Sequence, residues 1–316
     1  MRVTKPYVRD YSYYKRLLSQ EAMPCAFLDL DALERNSQHV LRLSGEKLVR
    51  IASKSVRSVD VLKRIQARDH RYQGLLCYTA REALFLGRQG FDDLVVAYPT
   101  WNPVEIAAVA ESTRNHRSIT LMIDSVDHIE HIESIARDHE VRIPLCIDID
   151  MASDFPGIHF GVWRSAVRTE VTIRELADRI NVSSHVTLDG VMGYEAQIAG
   201  LGDRIAGQRL KSSVIRWLKK RSVREVRQRR ADLVGAILSS GSELRFVNGG
   251  GTGSIASTCG ETAVSEVTVG SAFYSPALFD SYRDFCYEPA AGFAIEIVRQ
   301  PRPDLYTCLG GGYVAS

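Results

Sequence analysis

Short apolar runs alternate along the chain with longer stretches in which apolar residues recur three to four positions apart. The runs at 25–30, 48–53, 74–78, 94–97, 120–123, 144–149, 188–193, 244–248 and 264–269 read as strands. Val59-Leu62-Ile65, Val104-Ile106-Ala107-Val109 and Ile129-Ile132-Ile135, lying between them, read as helices with one buried face. Strand then helix, repeated, is the pattern of βα units. Leu94-Val95-Val96-Ala97 is apolar throughout, as parallel strands covered on both faces are. The predicted fold class is α/β, a closed (β/α)8 barrel, with one strand to spare.

The pattern changes after Asp280. Phe293-Ala294-Ile295-Glu296-Ile297-Val298 reads as an extended strand; Pro301 and Pro303 follow, then Leu305-Tyr306-Thr307-Cys308-Leu309 and a glycine run. Two strands joined by a proline-containing turn suggest a new β unit. The predicted division is a barrel with an N-terminal extension over 1–285 and the beginning of a C-terminal β domain over 286–316, expected to be incomplete at Ser316.

With 45% hydrophobic and 25% charged residues in 316, the chain can build a large core, which excludes disordered and collagen-like classes. Its formal charge of +2 gives no overall pull toward nucleic acid or membrane. Six cysteines at 25, 77, 146, 259, 286 and 308 show neither CxxC pairs nor zinc-like spacing, so a reducing compartment is expected. Met1-Arg2-Val3-Thr4-Lys5 lacks the apolar core of a signal peptide, and no run reaches the ~20 apolar residues of a membrane span. A cytoplasmic protein is predicted. Residues 204–230 hold eleven Lys and Arg against Glu225 alone, which raises a nucleic-acid reading. Leu210, Val214, Ile215 and Leu218 keep a helical stripe with the cations off it, which favours a solvated covering helix.

Three features carry chemistry. Lys54 directly follows a strand, so its amine should reach the C-terminal mouth of the barrel, where it could form a Schiff base with an aldehyde. Asn248-Gly249-Gly250-Gly251-Thr252-Gly253-Ser254 leaves a late strand, the position of a barrel phosphate site, with amides and hydroxyls to converge on an anion. It lacks the Lys-Ser/Thr ending of a P-loop, and Gly260 leaves no length for a dinucleotide-binding helix. Finally, Gly193-Tyr194-Glu195-Ala196-Gln197 ends a strand in groups suited to a heteroaromatic ring.

In this order the features resemble the fold-type III pyridoxal 5′-phosphate (PLP) enzymes, within them the D-threonine aldolase and D-serine dehydratase group, which share the alanine racemase N-terminal domain. The resemblance runs from Pro24-Cys25-Ala26-Phe27-Leu28-Asp29 through Ala52-Ser53-Lys54-Ser55 and Gly270-Ser271 to Gly310-Gly311-Gly312-Tyr313. It implies a PLP-dependent lyase of D-β-hydroxy amino acids, with Lys54 both catalytic and bonded to the cofactor. Tyr194, Gln197, His159, Gly250, Gly251, Thr252, Gly253 and Ser271 complete the implied cofactor site. His159 stands where such enzymes carry an arginine beside the pyridine ring; Arg164 could substitute for that arginine, but reads first as a strand-to-helix surface residue. The resemblance also implies a homodimer, and a divalent metal held by a C-terminal region that this chain lacks. His128 and His131 are helix-spaced but flank an apolar stripe, which reads as a solvated edge, and no metal ligand is named. Racemisation is the nearest alternative. A non-catalytic PLP-binding homeostasis protein is the other, which the strand-like segment 292–313 argues against.

Overall fold

The computed structural model describes residues 9–115 and 117–310. Met1–Lys5 and Gly311–Tyr313, used above, therefore lie outside the described residues. Eight strands form a closed barrel: β1 (Leu48–Ala52), β2 (Tyr72–Cys77), β3 (Leu94–Val96), β4 (Ile119–Ile123), β5 (Ile143–Asp148), β6 (Val186–Gly193), β7 (Phe246–Gly249) and β8 (Glu266–Val269). Every neighbouring pair is parallel, and β8 closes on β1 with Val269 opposite Ile51. The helices start where local chemistry directs: Ser58, Thr79, Asn102, Ser125 and Thr169 each cap a helix by accepting a backbone N–H two or three residues on.

Each strand divides its side chains by alternation. Val49 and Ile51, Leu121 and Ile123, and Val267 and Val269 point outward into the core between strands and helices. The barrel interior is smaller and partly polar. Val95, Met122, Cys146, Met192 and Phe246 form one apolar cluster there. The fully buried Arg50 bonds Glu266 at 2.6 Å and Asp93 at 3.0 Å, and Asn248 donates to Glu266 and Thr268 at 2.8 Å. Glycine makes this packing possible: a Cβ on Gly74 would lie 2.3 Å from the Arg50 guanidinium, and one on Gly190 would lie 2.6 Å from the Phe246 ring. The strands are thus not uniformly apolar; their inward positions hold a paired charge network.

The spare strand is the first. Cys25–Leu28 pairs antiparallel with Ala291–Ala294, outside the barrel. Asp29 ends it early by capping the helix Leu30–Ser44, its carboxylate accepting the amides of Asp31 and Ala32. Asn36 on that helix bonds the carbonyls of Phe273 and Glu288, holding the helix against the segment after β8. Glu296–Arg302 and Leu305–Leu309 form an antiparallel hairpin exposed along its whole length.

The basic segment lies in one long helix, Arg209–Ser239. Leu210 and Val214 are exposed, and the buried stripe runs through Ser212, Ile215, Leu218, Lys219, Ser222, Val226, Arg230 and Leu233. Two cations therefore lie on the inner face, contrary to the reading that placed all of them in solvent. Arg230 can do so because it meets carboxylates and a carbonyl there. No helix among the described residues is long and apolar enough to cross a membrane.

Candidate active site

At the C-terminal ends of the strands a cavity of about 160 Å³ opens above the uppermost interior residues, Leu76, Met192, Asn248 and Thr268. Lys54, Tyr78, Tyr98, Arg164, Tyr194, Gly250, Gly251, Thr252 and Ser271 are among its other lining residues. A larger cavity of about 500 Å³ lies beside it and shares Thr252. The smaller one is the candidate active site because it alone brings the strand-end lysine, the tyrosine and the glycine loop together.

Lys54 sits on a single helical turn, Ser53–Val56, directly after β1. The turn is pinned by Ser53 Oγ donating to the Leu76 carbonyl at 3.1 Å and Tyr274 Oη donating to the Val56 carbonyl at 2.7 Å. The Lys54 ammonium lies 5.6 Å from the Tyr78 ring centre. Ser55 and Gly270 pack so closely that a Cβ on Gly270 would come within 2.8 Å of both Ala52 and Ser55. The loop after β8 thereby closes on the loop after β1.

The glycine loop follows β7. Gly250 has φ +87°, a region that favours glycine, and a Cβ on Gly251 would lie 2.9 Å from the Tyr194 ring. Within the loop the Ser254 amide bonds the Gly251 carbonyl at 2.9 Å, and Thr252 Oγ1 accepts the Ala272 amide at 3.1 Å. The Gly251 amide is used by Ser254 Oγ at 3.0 Å and the Gly250 amide by Glu195 at 3.3 Å, so the Thr252 hydroxyl proton and the Thr252 and Gly253 amides are the donors left for a ligand.

Beneath the loop is a buried charge cluster. Glu195 accepts from Arg230 Nη2 at 2.8 Å, Ser254 Oγ at 2.7 Å, the Gly250 amide at 3.3 Å, and the Thr258 hydroxyl. Arg230 also bonds Glu261 and donates to the Gly193 carbonyl at 2.9 Å, while its Nε has no partner among the described residues. One arginine thus joins the ends of β6 and β7 to the loop. Burial pushes the Glu261 carboxyl above its ordinary range, against the pull of Arg230.

Arg164 forms the opposite wall. Its Nε donates to Asp148 Oδ1 at 3.0 Å and its Nη2 to the Ala97 carbonyl at 2.8 Å, placing the guanidinium 5.1 Å from the Tyr98 ring and 5.8 Å from the Tyr194 ring. Asp148 is pushed up to about 7 by burial, opposed by Arg164 and reinforced by Asp124 and Asp150. Arg164 itself is held above its ordinary value by Asp148, although its own burial opposes this. Both are raised: burial disfavours the charge on Asp148, whereas the nearness of Asp148 favours the charge on Arg164. Desolvation governs Asp148, which is enclosed and receives only one arginine nitrogen. Burial also pushes Tyr194 up to about 12, so its hydroxyl stays protonated near neutral pH.

Of the residues expected at the site, Lys54, Tyr194, Gly250, Gly251, Thr252 and Ser271 line one cavity. Gly253 lines the neighbouring one. Gln197 turns away, donating to the Met151 carbonyl at 2.6 Å and Ser222 Oγ at 2.8 Å. His159 lies on the hairpin Ser153–Phe155/Ile158–Phe160, bonded to Asp154 at 2.7 Å and stacked 3.7 Å from Trp163. Arg164, read first as a surface residue and second as a substitute for the missing arginine, occupies the cavity wall, as the second reading had it. Tyr98 and the Glu195–Arg230 cluster had no sequence signal, since their partners lie far along the chain.

His128 is buried rather than solvated, bonded to Ser125 and Asp124 and packed on Trp101. No cluster of three or more His, Cys, Asp or Glu positioned to hold a metal occurs among the described residues. The cavity does fit an anionic aldehyde cofactor. Its lining carries Lys54 and Arg164 and no carboxylate among the described residues, and its glycines leave room for the loop backbone to approach a ligand.

The family model for the alanine racemase N-terminal domain matches residues 28–277. The 3-hydroxy-D-aspartate aldolase of Paracoccus denitrificans (strain Pd 1222) is 25% identical over 268 residues, covering 84% of this chain and 64% of that protein. Among solved structures, the D-threonine aldolase from Filomicrobium marinum matches with a TM-score of 0.76 at 18% identity, over 89% of this chain and 70% of that one. The D-threo-3-hydroxyaspartate dehydratase from Delftia sp. HT23 matches with a TM-score of 0.71 at 18% identity, over 89% and 69%. The chain therefore spans about 64% of the length of the curated relative, and the solved structures establish a shared fold.

Proposed function

The chain belongs to the alanine racemase N-terminal domain family, and on that premise we propose that it holds PLP on Lys54 and acts as a lyase of D-amino acids with a β-hydroxyl group. The observation that carries the reading is the placement of Lys54 and the Thr252 loop around one cavity free of carboxylates among the described residues. The 3-hydroxy-D-aspartate aldolase relative supports the choice of lyase over racemase.

When bound, PLP supplies the electron sink for bond cleavage at Cα. The Thr252 hydroxyl and the Thr252 and Gly253 amides would hold its phosphate, with Glu195 and Arg230 keeping that loop in place through the Gly250 amide and Ser254. Tyr194 would flank the ring. Arg164, fixed by Asp148 and Ala97, supplies a positioned cation to the ring or to a substrate carboxylate. With the cofactor bound, the Lys54 amine would be the cavity's proton carrier: cleavage of Cα–Cβ requires a base for the substrate's β-hydroxyl proton and a proton delivered to Cα, and Lys54 lines the cavity where the second transfer would occur. His159 and Gln197 would support the walls without touching the cofactor.

The proposal includes a homodimer, a cytoplasmic location and a β unit over 286–316. These rest on the family resemblance, the cysteine spacing and the strand pattern. A divalent metal at the substrate hydroxyl belongs to the same resemblance.

The test is to add PLP, reduce with borohydride and map the labelled peptide, then assay 3-hydroxy-D-aspartate and D-threonine with and without added divalent metal. A label on Lys54 and aldehyde or keto-acid release from D-substrates are expected. A label elsewhere would overturn the site, and racemisation without cleavage would overturn the reaction assigned.

A further inference from the structure

The cavity of about 500 Å³ behind the glycine loop contains none of the residues assigned to chemistry above except Thr252 and Gly253. Backbone forms the partition. A Cβ on Gly253 would lie 2.3 Å from the Ala199 carbonyl and 2.7 Å from the Tyr282 ring, so no side chain fits there.

The cavity is cationic. Arg216, Lys219 and Lys220 line it from the long helix and Arg283 from the segment after β8, against Asp203 and Asp284. Both carboxylates have partners: Asp203 accepts the Arg283 amide at 3.0 Å, and Asp284 lies 3.6 Å from the Arg283 guanidinium. Lys219 is only 8% exposed. Its ammonium lies 3.9 Å from Asp203, too far for a hydrogen bond, and 4.7 Å from the centre of the Tyr282 ring. Burial lowers its pKa, with Asp203 and Asp284 opposing. A nearly enclosed ammonium without a hydrogen-bonded counter-charge is costly, and an anion in the cavity would remove that cost. The apolar part of the lining includes Tyr282 and Phe285, whose rings pack 4.9 Å apart.

We propose that this cavity binds a small phosphate monoester with a flat apolar body, its dianion on Lys219 and Lys220 and its body against Tyr282 and Phe285. The four cations outnumber the two carboxylates by two, which matches a dianion. Because the floor is Thr252–Gly253, a ligand here would also stiffen the loop that borders the Lys54 cavity.

Phenyl phosphate is the probe, titrated calorimetrically into the full chain alongside inorganic phosphate and benzoate. Phenyl phosphate is expected to bind more tightly than either. Lys219→Met should weaken it by roughly tenfold or more, the effect of losing one charge-assisted hydrogen bond. Lys54→Ala should still bind it, because Lys54 lines the other cavity only. Lys220 and Arg283 are exposed, so Lys220→Gln and Arg283→Gln are the variants to use should Lys219→Met fail to fold; each is expected to weaken binding several-fold. Loss of binding in Lys54→Ala, or unchanged binding in both surface variants, overturns the site. Benzoate or inorganic phosphate binding as well as phenyl phosphate overturns the ligand class.

Discussion

Replacing Arg230 with Met removes the cation that two buried carboxylates share. Glu195 would keep the Ser254 and Thr258 hydroxyls and the Gly250 amide, but Glu261 would lose its hydrogen-bonded cation and keep only the weaker pull of Arg227. Breaking a buried pair by removing one member costs about 3–5 kcal/mol, because the remaining charge is left enclosed. At roughly 2 °C per kcal/mol for a chain of this size, Tm should fall by roughly 6–10 °C.

The deficit should depend on pH, with a definite sign. Burial already holds Glu261 above its ordinary range, and without Arg230 it rises further. A carboxyl with a raised folded pKa contributes stability that is fully present below its unfolded pKa and is lost as pH rises through the folded value. Arg230→Met should therefore lie nearer to wild type at pH 5 than at pH 8, measured by thermal denaturation at both. Cofactor affinity should fall in the same variant, since Arg230 anchors Glu195 and Glu195 anchors the Gly250 amide and Ser254. A variant as stable as wild type at pH 8, or with an equal deficit at both pH values, would refute the reasoning.

Thr252→Val removes the hydroxyl offered to the phosphate and the acceptor of the Ala272 amide; PLP affinity should drop roughly ten- to a hundredfold, from about 1.5–3 kcal/mol for a hydrogen bond to a charged group. Thr252→Ser should restore it, and equilibrium titration of the visible cofactor band checks both. Asp148, raised to about 7 by burial, contributes stability that is complete below its unfolded range near pH 4 and lost as pH climbs through 7. Asp148→Asn should accordingly flatten the pH dependence of Tm between pH 5 and 8, and an unchanged profile would return Asp148 to an ordinary ion pair.

The strand-helix alternation was legible in the chain because parallel strands covered on both sides and helices with one buried face leave different periods. Lys54, Tyr194 and the Gly250–Gly251–Thr252 run were legible for a similar reason: each directly follows a strand, and barrel topology sends all strand ends to the same mouth. Folding decided what depends on partners distant in sequence. Which run was the spare strand followed from Cys25–Leu28 meeting Ala291–Ala294. Arg50 reads as an interruption in an apolar strand until Glu266 and Asp93 arrive to pair it inside the barrel. Arg230 and Lys219 look like surface cations among nine others until the helix lies down with both facing inward. Arg164 reaches the cavity, and His159 does not, because the loop after β5 folds back as a hairpin and Asp148 then fixes the guanidinium. Local periodicity encodes which face is buried; the neutralisation of a buried charge depends on a distant residue, as Arg50 depends on Glu266, 216 positions on, and only the closed barrel brings the two together.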